Sequence, residues 1–375
     1  MKRLCIFVLC LTILFPSVFA APAPPELVSP CAILIEKETG NILFAKDEHK
    51  QLPPASVTKV MTLLLVVEAI DSGKITLEDP VSVSEHAAGM GGSQVFLSPG
   101  EQMSVNDMLK ATVIASGNDS AVALAEHIAG SEESFVGLMN ERAKQLGMND
   151  TSFKNCTGLD VDGHVTSAHD IALMARELIK HDLIKNYTTI WMDTLRDGAF
   201  QLANTNKLIR SYKGITGLKT GSTSIAKFCL AATAERDGME LIAAILAAPS
   251  SKERFSDASK LLDYGFANYT IYNAATDTEL SPLPVVLGKK ESVIVDFGNT
   301  PSVLAEKSNI SNIVHETDIP ENVKAPVQQG QKVGTLKIIS SGNVISEVPI
   351  IATETVERLE ITGIFTEILS GILMR

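Results

Sequence analysis

Cysteine is scarce in this sequence. Five occur in 375 residues, and Cys5 and Cys10 fall in an N-terminal stretch that a mature protein would not keep. Cys31, Cys156 and Cys229 remain, an odd number without the close spacing of metal sites. A disulfide framework is thereby set aside, and a chain of this length can bury a core without one. Cys31 and Cys229 sit in strand-like apolar runs and read as buried thiols. Positive charge is short as well: 32 Lys and Arg against 44 Asp and Glu give a formal charge of −12. Such a surface repels phosphates, which argues against nucleic acid as a partner. Spanning hydrophobic runs are also lacking. Leu4 to Phe15 is too short to cross a bilayer. It follows Lys2 and Arg3 and precedes Pro16-Ser17-Val18-Phe19-Ala20, so residues 1–20 read as a signal peptide cleaved after Ala20. There is no long repeat, no low-complexity tract, and no pattern that asks for a metal or an organic cofactor.

What is present divides into two domains and a tail. Cys31–Glu36 and Ile42–Ala45 flank Thr39-Gly40-Asn41 as a hairpin. Helices are expected over Ser56–Ile70, from Ser104 with Asp107 as its capping pair, and over Asp119–Ala129, Glu132–Leu146 and Ser167–His181. Strands return at Gly214–Thr223, and Asp237-Gly238 joins Phe228–Glu235 to Met239–Ala247 as a two-residue hairpin. A helix over Ser256–Phe266 follows. Strands at both ends of a helical middle imply an α/β (α+β) domain, one antiparallel sheet flanked by helices, over residues 24–272. Residues 273–352 read as a small all-β domain with strands at 285–287, 292–297, 310–315, 331–339 and 344–351. In residues 353–375, Val356, Leu359, Ile364, Phe365, Ile368, Leu369, Ile372 and Leu373 recur at helical steps, opposite Glu357, Glu360 and Glu367. This amphipathic helix either lies in a membrane interface or packs on the β domain, and few basic residues favour an anionic surface.

Three short motifs occur in order behind the signal segment. Ser56-Val57-Thr58-Lys59 opens the first apolar helix, Ser116-Gly117-Asn118 breaks two helices, and Lys219-Thr220-Gly221 lies on an expected strand. Alone each is weak, because Ser224-Ile225-Ala226-Lys227 and Ser341-Gly342-Asn343 repeat two of them in this same chain. Together they make a serine acyl-transfer site. A serine hydroxyl needs a base, and a residue three positions on shares its helical face, so Lys59 can take the Ser56 proton. Lysine serves as a base only with a depressed pKa, which burial and a second cation, Lys219, would both provide. Ser116 can relay the proton and Asn118 can bind the substrate backbone. Amides at the helix N-terminus face the developing oxyanion. The rival readings are Ser56 as a plain N-cap, Lys219 as a solvated strand residue, and Gly221 as a strand glycine that allows a ligand close to the backbone.

The set resembles the signature of β-lactamases and penicillin-binding proteins. The whole chain is similar to the low-molecular-mass penicillin-binding proteins, the D-alanyl-D-alanine carboxypeptidases, with a β-lactamase/transpeptidase-like fold. That resemblance implies Ser56 as the acylated nucleophile, Lys59 as base, and Ser116 with Asn118 as second motif. It also implies substrate contacts from Lys219, Thr220 and Gly221, and an oxyanion hole from the amides of Ser56 and Ser222. Arg254, ahead of Lys260-Leu261-Leu262-Asp263-Tyr264-Gly265-Phe266, falls where the family has an arginine near the substrate carboxylate; a helix-start surface charge is the other reading. His164 resembles a family histidine at the rim, or is a surface-loop residue. Ser222, where the family has a bulkier residue, and Lys227-Phe228, where it has Gly then an aromatic, depart from the pattern. The implied substrates are peptidoglycan stem peptides ending in D-Ala-D-Ala, with β-lactams as covalent inhibitors, outside the cytoplasm and peripheral to the membrane. A β-lactamase of class A would need a Glu-x-x-Leu-Asn string between Asn118 and Lys219, and none occurs. A non-catalytic wall-binding or sensor protein would have no need of the paired serine and lysine.

Overall fold

The computed structural model describes residues 23–360. Residues 1–22, which include the expected signal peptide, and the tail from Ile361 onward lie outside the described residues. Cys31–Glu36 and Ile42–Lys46 form the first hairpin, and Cys31–Glu36 pairs antiparallel with Met239–Ala248. Next come Lys227–Arg236 and, at the edge, Ile215–Thr223. Asp237 (φ 51°) and Gly238 (φ 76°) make the expected turn, because two successive positive φ values match the twist of the strands they join.

The sheet is buried on both faces, and side chains alternate between them. Ile33, Ala231, Ile242, Ala244 and Leu246 face the helical middle, against Val60, Leu63 and Leu64 of the helix Lys59–Asp71. Leu34, Leu230, Ala232, Leu241 and Ile245 face the helix Ser251–Asn268. Alanines at the sheet centre let helices approach closely. Gly265 is one such contact, since a Cβ there would stand 2.4 Å from Leu241 Cδ1 and 3.0 Å from Leu34 Cδ2.

A separate core, including Val293, Val327, Leu336, Ile338 and Ile350, belongs to the second domain. Its main sheet is antiparallel, running 295–297, 343–352, 332–340, 313–318. Several expectations need correction. The expected strand 292–297 is two short strands in different sheets, broken at exposed Ile294. The first turn of the expected helix at Ser56 is a 3-10 turn, Ala55–Thr58, and the α-helix begins at Lys59. Met192–Leu195 and Phe200–Ala203 form a hairpin that the sequence pattern did not show. Residues 353–360 are not helical: Val356 and Arg358 make isolated bridges to Val327 and Gly288, and Val356 is buried in the β domain. Its apolar side chain serves that core instead of a helix face. Among the described residues, no helix is long and apolar enough to cross a membrane.

Because Leu34 fills the space between the sheet and the helix Ser251–Asn268, Leu34→Ala is expected to cost about 2–5 kcal/mol of stability in urea unfolding.

Candidate active site

Ser56 sits in the 3-10 turn, and the turn into the helix brings Lys59 Nζ within 3.2 Å of Ser56 Oγ. Lys59 is 0% exposed. Its Nζ meets two more acceptors, Asn118 Oδ1 at 2.5 Å and the Thr157 carbonyl at 2.8 Å. Burial pushes the ammonium down to about 7 from its ordinary 10.5, against smaller opposing influences from Cys156 and Asp119. Desolvation does what the sequence reading assigned partly to a second cation. A neutral amine keeps two hydrogens. With those given to Asn118 and Thr157, the lone pair is left for Ser56 Oγ–H.

Lys219 lies on the edge strand, buried, and donates to Ser116 Oγ at 2.8 Å and to the Thr220 carbonyl at 3.0 Å. Burial first, then the Lys59 and Arg254 charges, hold its pKa well below the usual lysine value. Thr220 Oγ1 donates to Thr205 Oγ1 at 2.6 Å, and exposed Ser222 closes this end of the strand. Ser56, Lys59, Ser116, Asn118, Lys219 and Thr220 thus converge.

Gly221 also has a packing use. A Cβ there would stand 2.8 Å from the Ser56 nitrogen and 2.9 Å from the Pro54 oxygen. The close approach is to the backbone at Ser56, which sets the strand against the turn. On the other side Gly158 (φ 88°) is tighter still, with a Cβ position 1.8 Å from the Ala55 oxygen. Asn155 Oδ1 accepts from the amides of Thr157 and Gly158 and so aims the Thr157 carbonyl at Lys59. Ala55 (φ 49°) and Ser116 (φ 63°) hold left-handed backbone, each at a cost on the order of 1–3 kcal/mol.

The loop from Gly91 to Leu97 is tied to the second motif. Asn118 Nδ2 donates to the Gly91 carbonyl at 2.6 Å, leaving its other N–H for a substrate. The Asp119 carboxylate accepts from the amides of Val95 and Leu97, while Arg196 donates to the carbonyls of Val95 and Phe96. Exposed Phe96 is pinned between these contacts at φ 56°.

Two residues are too buried for their surface readings. Arg254 is no surface charge. It is 7% exposed and donates through Nη1 to the carbonyls of Gly221 (2.9 Å) and Cys229 (3.3 Å), while its buried Nε has no partner. Burial brings it down to about 10. It anchors the end of the edge strand from behind. His164 is buried: the Lys154 amide donates to Nδ1 at 3.0 Å, so Nε2–H donates to Thr58 Oγ1 at 2.8 Å. It braces the turn that carries Ser56. Thr157, Gly158, Thr205, Asp119 and Arg196 were not singled out from the sequence. The Asn155–Gly158 turn was the one available signal. Among the described residues, no group of three or more His, Cys, Asp or Glu is placed to hold a metal ion.

Burial brings the His164 imidazolium down to about 4 from 6.5. The unfolded chain therefore binds the extra proton first as pH falls. Stability from neutral His164 is complete above pH 6.5 and is lost between about 6.5 and 4, to a total of about 3 kcal/mol. Urea midpoints for the protein and His164→Gln should converge over that window. Gly158→Ala should slow acylation by a β-lactam at least about tenfold, since the Ala55 carbonyl has to move by an ångström or more.

Comparison with known proteins agrees with this geometry. Residues 18–250 match the family model described as D-alanyl-D-alanine carboxypeptidase, and residues 266–358 match the penicillin-binding protein 5 C-terminal domain. The D-alanyl-D-alanine carboxypeptidase DacF of Bacillus subtilis is 45% identical over 332 residues, covering 87% of this chain and 85% of that protein. The structure of penicillin binding protein 5 from Haemophilus influenzae superposes with a TM-score of 0.76 at 31% identity, over 90% of this chain and 100% of that one. Penicillin-binding protein D2 from Listeria monocytogenes, solved in its ampicillin-bound form, gives 0.59 at 32% identity, over 67% and 100%. With the serine–lysine pair, the two further motifs and the second β domain all in place, the chain belongs to the D-alanyl-D-alanine carboxypeptidase family of serine peptidases, the low-molecular-mass penicillin-binding proteins.

Proposed function

We propose that Ser56 carries the acyl group in removal of the terminal D-Ala from peptidoglycan stem pentapeptides. The observation that carries this reading is the 3.2 Å approach of Ser56 Oγ to a buried amine whose other hydrogens have acceptors. Lys59 takes the Ser56 proton as Oγ attacks the carbonyl carbon of the penultimate D-Ala. The tetrahedral oxyanion is held by the amides of Ser56 and Ser222, a pairing supported by the tight packing of Gly221 on the Ser56 backbone. Ser116, backed by Lys219, relays the proton held by Lys59 to the departing amine, which leaves Lys59 neutral again, and the C–N bond breaks to release D-Ala. Water then attacks the ester, with its proton returning through Lys59, and frees the shortened peptide and Ser56.

Asn118 uses its second N–H on the peptide backbone, while Lys219 and Thr220 receive the terminal carboxylate. Arg254 acts by holding the strand end and adding positive potential behind it. A β-lactam offers the same carbonyl in a ring, so its leaving nitrogen stays attached and the ester on Ser56 persists. The signal-like N-terminus and the cell-wall relatives support action outside the cytoplasm. The apolar spacing of Ile364, Phe365, Ile368, Leu369, Ile372 and Leu373 supports a peripheral hold on the outer membrane face.

Released D-Ala from a pentapeptide and covalent labelling by fluorescent penicillin test the assignment together. Both are expected with the intact protein. Ser56→Ala should abolish the label and cut D-Ala release by at least about 10³-fold. Labelling that survives Ser56→Ala would contradict the assignment.

A further inference from the structure

Asp119 is a buried carboxylate that the steps above leave unused. It is 1% exposed, and among the described residues it has no ion-pair partner. The other buried carboxylates are engaged elsewhere. Asp257 meets Ser29 and Lys260, Glu240 meets Lys37 and Lys185, Asp170 meets Thr151, and Glu36 accepts from the amides of Glu38 and Thr39. Asp119 is instead solvated by backbone. Its Oδ2 accepts from the Val95 amide at 3.0 Å and the Leu97 amide at 3.1 Å, and its Oδ1 from the Ser120 amide at 2.9 Å. It stands in the first turn of the helix Asn118–Ala129, where aligned peptide dipoles favour negative charge. Gly117 makes room for it, since a Cβ there would stand 2.9 Å from Asp119 Oδ1.

Two features tie this carboxylate to the base. One is mechanical. Asn118 gives its amide to the Ser93 carbonyl at 2.7 Å and its Nδ2 to the Gly91 carbonyl at 2.6 Å, while its Oδ1 takes Lys59 Nζ. Asp119 grips the same loop further along, at Val95 and Leu97. The loop, the second motif and Lys59 are therefore one hydrogen-bonded unit. The other feature is charge. Lys59, Lys219 and Arg254 are three buried cations, and Lys59 and Arg254 both act on Lys219. The Cys156 thiol faces Lys59 from the Asn155–Gly158 turn, but burial pushes it up and it carries no charge at neutral pH. Glu132 lies behind it, on the Cys156 amide. Among the described residues, Asp119 is the carboxylate that acts on Lys59.

We propose that Asp119 is a positioning residue for the base and its fixed counter-charge: it locks the 91–97 loop to the second motif and supplies the negative charge that faces Lys59. The inference rests on Lys59 as the base in acylation of Ser56. A carboxylate nearby opposes the loss of basicity that burial imposes, and a stronger base takes the serine proton more readily.

The pH dependence of acylation by fluorescent penicillin tests this in the full chain and in Asp119→Asn, Asp119→Glu and Arg196→Met. Arg196 donates to the carbonyls of Val95 and Phe96, so its loss loosens the same loop and leaves the buried charge in place. Removing a negative charge favours the neutral amine, so the midpoint in Asp119→Asn should fall by roughly 0.5 to 1 pH unit. Arg196→Met and Asp119→Glu should be slower by about threefold or more, through lost positioning, with the midpoint of the unaltered protein. An unchanged midpoint in Asp119→Asn, or an equal fall in Arg196→Met, would overturn the proposal. Should Asp119→Asn fail to fold, Asp119→Glu decides: a midpoint that stays supports the counter-charge, and one that falls overturns it. Acylation without any ionisation near pH 7 in the unaltered protein would overturn Lys59 as the base, and this inference with it.

Discussion

A single buried amine organises this molecule. Lys59 brings three remote segments together: its own turn through Ser56, the second motif through Asn118, and the Asn155–Gly158 turn through Thr157. A charged ammonium there has three hydrogens for three acceptors, and a neutral amine has two. Desolvation favours the second state, and the lone pair it frees points at the serine. The same contacts therefore hold the fold locally and prepare the base.

The remainder of the site keeps that geometry fixed. Gly158 and Gly221 press on the backbone around Ser56 from two sides, and neither position has room for a Cβ. Arg254 and His164 act from behind, one on the strand end and one on Thr58. Left-handed backbone at Ala55 and Ser116 is tolerated because the surrounding contacts over-determine it. The large two-faced core, with Ile33, Leu34, Ile242 and Ile245 on the sheet, supplies the rigidity that such strain requires.

Much of this was legible in the residues. The three motifs, their order and the separation of Ser56 from Lys59 already imply a serine and a base on one helical turn. The Asp237-Gly238 hairpin and the change of composition after residue 272 were also readable. Contacts across long stretches of chain were not. Thr157 reaches Lys59 over 98 residues, and Asp119 bonds a loop more than 20 residues away, so no local pattern announces them. His164 was open to a surface-loop reading because no periodic run includes it, whereas Arg254 shares the buried face of its helix with Asp257, Ala258, Leu261 and Leu262, a spacing that could have excluded the surface reading. The apolar spacing in 353–360 suggested a helix, but Val356 is claimed by the β-domain core, a tertiary demand that spacing cannot express.

The central claim is that Lys59 is a base because it is buried, and the pH dependence of Ser56 acylation by penicillin examines this most directly. The neutral fraction of Lys59 sets the rate, so acylation should rise through a single ionisation near pH 7 and level off above it. A rate that keeps rising towards pH 10, as an ordinary lysine or bulk hydroxide would give, would contradict the account.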